Sequence, residues 1–365
     1  MSRRFSAAVV GVAIVSSAAP CPAADLIGDL APGHWASAPG TRLETVFPKP
    51  APPGSSGQKA VMSAWNGATL DTKRNRVVVH GGGHGDYAGN EIYVFDLDEL
   101  KWSRIWGPSA NADIPAVRDP VTATYRDGAP RAVHTYAGLH YLPAQDKLYR
   151  AGGSIWSGAG GGSRTTWLFD FDAGKWLRRA DHESLGVSQT SAFDPVTGKL
   201  FGFSDTGRFA EYDPAADKYA TRHSMGGIAR GEDMMAAIDA EARIFVAAGN
   251  DRMIVYDIAR DTVRNQETKG PRVVREARGP GLAYDPALKR IVGWAGGTSV
   301  YSLDTKNWEW TEHPAAASNT VTPTPKTRVG VYGRWLYIPK QNAYFLVNAT
   351  DEDVFFYRGA DAHKG

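Results

Sequence analysis

The chain is almost without cysteine: Cys21 is the single one in 365 residues. It falls in a segment laid out as a cleaved secretory signal, with Arg3 and Arg4, an apolar stretch from Phe5 to about Ala19, and small residues around Ala23 and Ala24. Cleavage there leaves a mature chain that can form no disulfide, so stability must come from packing. Pro20 and the alanines before Cys21 lack the branched apolar start of a lipoprotein signal. The expected product is therefore free in the periplasm or outside the cell. The apolar stretch is also too short for a good membrane span, and no stable membrane anchoring is expected.

Net charge is the second lack. Without Arg3 and Arg4, 39 basic residues face 39 acidic ones, which argues against non-specific nucleic-acid binding. Any preference for an anionic ligand must come from local placement of Arg and His. What remains, 42% hydrophobic, is enough for one large core. We read residues 1–24 as signal and 25–365 as a single domain, expected to be monomeric.

A unit recurs about six times after residue 57. An apolar strand runs into a turn at Asp71, Leu142, Asp194, Asp239, Asp285 and Ile338, and a second begins near Val77, Leu148, Leu200, Ile244, Ile291 and Tyr344. A third ends in Phe95-Asp96, Phe169-Asp170, Tyr212-Asp213, Tyr256-Asp257 and Leu303-Asp304. A fourth opens near Trp102, Trp176, Tyr219 and Trp308. Four strands per unit describe an all-β propeller of six blades, or seven if the insert from Gly107 to Pro130 hides strands. The last unit stops before its fourth strand, and the run around Trp35 is expected to supply it and close the ring.

Glycine pairs after second strands (Gly81-Gly82, Gly152-Gly153, Gly296-Gly297), the aromatic-Asp ends and the fourth-strand Trp residues resemble the Kelch-repeat β-propellers, the superfamily that includes galactose oxidase. The resemblance covers nearly the whole mature chain. It does not extend to the copper chemistry, because that family's radical cofactor is a Tyr crosslinked to Cys.

In a four-stranded meander, the loop leading into strand one and the loop joining strands two and three lie at the same end. Their residues share one mouth of the central channel. Trp65, His134, Tyr136, Tyr332, Arg131 and Arg230 fall in the first set, and Trp156, Arg208 and the run HGGGHGDYAGN from His80 to Asn90 in the second. Period-two geometry points His134 and Tyr136 the same way. His80 reads as a strand-end residue bonded to a neighbouring blade, and Asn90 as a brace for its loop through side-chain bonds to backbone. His84 and His80 with Asp86 form no compact metal cluster; no cofactor is expected, with room left for a structural divalent cation.

Guanidinium forks bind carboxylates and aromatic rings stack on sugars, so the mouth suits an anionic, uronic-acid-containing polysaccharide. Several bacterial propeller-type polysaccharide lyases use His, Tyr and Arg, and the mouth is similar to theirs in residue types. The expected chemistry is β-elimination: His84, His134 and Tyr136 move protons, and Arg131, Arg150, Arg208 and Arg230 neutralise the carboxylate, with Trp65, Tyr87, Trp156 and Tyr332 as further contacts. Arg150 interrupts an apolar strand with a charge. Glycoside hydrolysis would need two facing carboxylates, but Glu232 and Asp233 are adjacent and should point apart. The rival reading is a non-catalytic propeller that binds a glycan or a protein.

Overall fold

The computed structural model describes residues 23–116, 122–157, 160–225 and 232–359. Residues 1–22 of the expected signal, with Cys21, and Arg230 lie outside them. Where a strand ends in aspartate, the turn forms because that side chain accepts backbone N–H groups two and three residues on. Asp239 Oδ1 takes the amides of Glu241 (3.1 Å) and Ala242 (3.0 Å), and Asp285 Oδ1 those of Ala287 (2.9 Å) and Leu288 (3.1 Å). Asp96 and Asp213 do the same after third strands. An Asx turn closed by its own side chain makes each hairpin locally determined.

Six antiparallel four-stranded sheets result among the described residues. Their first strands are Ala68–Asp71, Leu139–Leu142, Thr190–Asp194, Met235–Asp239, Gly281–Asp285 and Trp335–Ile338. Each first strand packs on the next, and the last packs on the first. The fold is all-β and consistent with a β-propeller. In the last sheet the outer strand is Trp35–Ala38, antiparallel to Val354–Tyr357 with Trp35 opposite Tyr357. Trp35 also packs against Tyr357 (4.9 Å between rings) and Trp335 (5.8 Å), so aromatic contacts join the two ends of the chain.

A further three-stranded sheet joins Val133–His134, Ser154–Ile155 and Gly161–Gly162. It is built from the segment before the second sheet's first strand and the loop between its second and third, so it stands at the mouth end. The described part of the Gly107 to Pro130 insert holds an isolated bridge, Thr124 with Pro130. No helix among the described residues is long and apolar enough to cross a membrane.

Candidate functional site

The mouth is organised around His134. Two glycines bring backbone against it: Gly83 (φ +92°) and Gly153 (φ +96°) sit so close that a Cβ on either would lie 2.2 Å from the His134 amide nitrogen or carbonyl oxygen, respectively. Only glycine tolerates both the left-handed backbone and this approach. The loop thereby lays Asp86 beside the imidazole, with Oδ2 3.0 Å from His134 Nε2. Ser56 donates to Asp86 Oδ1 at 2.9 Å and orients the carboxylate.

Burial lowers the His134 pKa, against the opposing pull of Asp86. Asp86 is held below the usual carboxylate range by its contact with His134 and the Ser56 bond, against desolvation. At neutral pH the pair is therefore a neutral imidazole facing a carboxylate.

Aromatic rings surround this pair. Trp65 lies 5.4 Å from the His134 ring, His84 6.1 Å and Tyr136 6.2 Å, while Tyr136 meets Tyr332 edge-on at 5.8 Å. His84 is exposed, Trp65 half-buried, and His134 and Tyr136 lie beneath them. The expected strand alternation between His134 and Tyr136 does not hold, because the strand ends at His134 and Tyr136 turns left-handed (φ +48°). The two rings meet through that turn, which the Tyr136 amide secures by donating to the Trp65 carbonyl at 2.7 Å.

The field around Tyr136 is acidic. Its phenol is pushed up by burial first and then by Glu232, Asp205, Asp233 and Asp86. Asp233 is buried and takes two bonds from Arg278 on Oδ2, at 2.8 and 2.6 Å. Glu232 is exposed while Asp233 is buried, and both precede the strand that begins at Met235. At this end Trp65 Nε1, Tyr332 OH and Asp233 Oδ1 are buried without a hydrogen-bond partner among the described residues. Each leaves a desolvation cost of about 1–3 kcal/mol that a polar ligand could relieve.

Several expected contacts lie elsewhere. Arg131 is 1% exposed and donates to the Trp156 carbonyl (3.2 Å) and Thr122 Oγ1 (3.1 Å). Arg150 is also 1% exposed, donates to the Arg131 carbonyl at 3.2 Å, and has its pKa lowered by burial to about 9. Neither can meet a polymer's carboxylate. Trp156 packs with Ile114 and Tyr125 of the insert, which folds over this part of the mouth. Tyr87 is fully buried and donates to Glu91, and Tyr332 is fully buried beneath Tyr136. Arg208 remains partly exposed, beside Glu183 at 3.5 Å.

His80 bonds within its own sheet, to the Glu91 carbonyl at 2.8 Å, while its ring packs 5.2 Å from Trp176 of the next sheet. Asn90 braces its loop as expected, accepting from the Ser109 amide and donating to the Pro130 carbonyl. Ser56 was not legible in the sequence: it lies far from Asp86 along the chain and carries no motif. The pairing of Asp233 with Arg278, 45 residues apart, was likewise not legible in the sequence. Among the described residues no three His, Cys, Asp or Glu side chains gather so as to hold a metal ion.

The fold and mouth define a class, an all-β protein with propeller-like sheets and a polar site at one end. No protein-family model and no curated protein matches the chain. Two solved structures from Bacteroides thetaiotaomicron share the fold. One, a protein of unknown function, is 12% identical with a TM-score of 0.50, covering 86% of this chain and 73% of that one. The other, an auxiliary nutrient binding protein, is 10% identical with a TM-score of 0.51, covering 81% and 69%. At such identities the likeness concerns the fold alone.

Proposed function

We propose that this is a secreted or periplasmic, six-bladed Kelch-like propeller, closed by its N-terminal strand, that binds a carbohydrate at the His134 mouth. The observation that carries the reading is the half-buried Trp65 ring at the mouth, whose Nε1 has no hydrogen-bond partner among the described residues, with the unpartnered Asp233 Oδ1 at the same end. Sugars offer hydroxyls to satisfy such groups and C–H faces to stack on indole. Binding is favoured over elimination because Arg131 and Arg150 point into the interior and carboxylates crowd Tyr136. Both features work against holding a uronate and forming a phenolate base.

Calorimetry against neutral and uronic-acid oligosaccharides tests this. Neutral sugars should bind, and Trp65→Ala should weaken binding by at least tenfold in protein that circular dichroism shows to be folded. Absence of binding across both sets would sink the reading.

A second reading is kept by the Asp86/His134 pair next to Tyr136, which has the parts of an acid–base relay. It is checked by absorbance at about 235 nm on incubation with polyuronates. Growth of that signal, lost in His134→Ala and Tyr136→Phe, would make the protein a lyase.

A further inference from the structure

The six first strands enclose a central channel with a cavity of about 400 Å³. Each strand contributes an apolar side chain to its wall: Leu70, Leu139, Phe193, Ile238, Leu282 and Leu336. Alanines at Ala68, Ala192, Ala237 and Ala283 keep the lumen open where a larger residue would fill it. Thr72, Pro195, Pro286 and Pro339, from the turns that follow the first strands, line the end opposite the His134 mouth. Toward that mouth, Tyr136 and Tyr332 pack edge-on in the segments leading into the strands.

Three polar side chains of the wall are already engaged. Thr69 Oγ1 accepts from the Tyr141 amide (3.0 Å), His140 Nε2 meets Ser191 Oγ (2.9 Å), and Tyr337 OH donates to Asn342 Oδ1 (2.9 Å). A cavity keeps water when it supplies two to four polar partners per molecule; an apolar one stays dry and accepts apolar guests. This volume falls in the range of about 300–1,000 Å³ used for small molecules.

We propose that the channel is a second ligand site, independent of the mouth, that takes one unbranched aliphatic chain from the face opposite the mouth. The wall is mostly aliphatic and alanine-lined, which suits an alkyl chain. The chain's polar head stays at the proline-rich rim.

Titration calorimetry with 1-decanol, on the mature protein and on Ala192→Leu and Ala237→Leu, reads this directly. One decanol per chain is expected, with affinity at least tenfold weaker in each filled variant and unchanged in Trp65→Ala. No binding, or equal binding in folded, filled variants, overturns the proposal. Should the leucines unfold the protein, crystals of the unsubstituted chain under xenon decide: xenon in the channel supports the site, and ordered water throughout it refutes the site.

Discussion

Acidification from pH 7 to pH 5 should cost this protein about 4 kcal/mol of folding stability through two buried histidines alone. His80 is completely buried, donates from Nδ1 to the Glu91 carbonyl, and has its pKa lowered to about 3 by burial and by the nearby Arg150 charge. His140, buried against Ser191, is lowered to about 4, again by burial. Unfolded, both return to 6.5. Between 6.5 and the folded value the unfolded chain binds the extra proton, so stability falls as pH falls. Each histidine contributes about 2 kcal/mol of that loss by pH 5. His134, also lowered, adds in the same direction. Urea unfolding at pH 7, 6 and 5 measures the slope, and His140→Gln should flatten it by about one proton. A stability unchanged over this interval would show that these imidazoles are not held neutral by the fold.

The second large effect is expected at Arg334, which is fully buried and has no carboxylate acting on it among the described residues. Its guanidinium donates instead to carbonyls of Val331 (3.0 Å), Met62 (2.6 Å), Gly330 (2.6 Å) and Asn348 (3.4 Å). Met62 precedes the first sheet, while the other three flank strands of the last. One side chain therefore ties the segment before the first sheet to the last sheet. Burial lowers its pKa only to about 10, so the charge that strengthens these bonds persists at neutral pH.

Arg334→Ala strands several carbonyls without donors and opens a cavity, for an expected loss of about 3–5 kcal/mol. The measurement is the melting temperature beside that of Arg264→Ala, a surface arginine whose removal should change stability by less than about 0.5 kcal/mol. Equal melting temperatures for the two variants would show that Arg334 does not hold that segment to the last sheet.

The histidines and Arg334 also mark where sequence reading succeeds and fails. Asp194, Asp239 and Asp285 were legible as strand ends because the Asx turn uses a side chain and amides within three residues. Strand placement followed from the same local rule, as did the mouth-end position of His84, His134 and Tyr136. The arginines show the opposite. Their positions near the mouth were legible, but Arg131 and Arg150 carry long flexible stems that turn inward and use carbonyls as partners. No spacing rule records which way such a stem turns. Arg150 was legible as an anomaly, a charge in an apolar strand, and its burial is the outcome.

By itself, then, the sequence determined the repeating strand–turn unit, because hairpins depend on neighbours a few residues apart. It also determined the glycines that permit close backbone approach, since a Cβ at Gly83 or Gly153 would collide with the His134 backbone. Only the tertiary structure decided what faces the mouth. The pairing of Asp86 with His134, the brace from Ser56, the acidic surroundings of Tyr136 and the inward arginines join residues far apart in the chain. Such contacts depend on how separate sheets pack against one another.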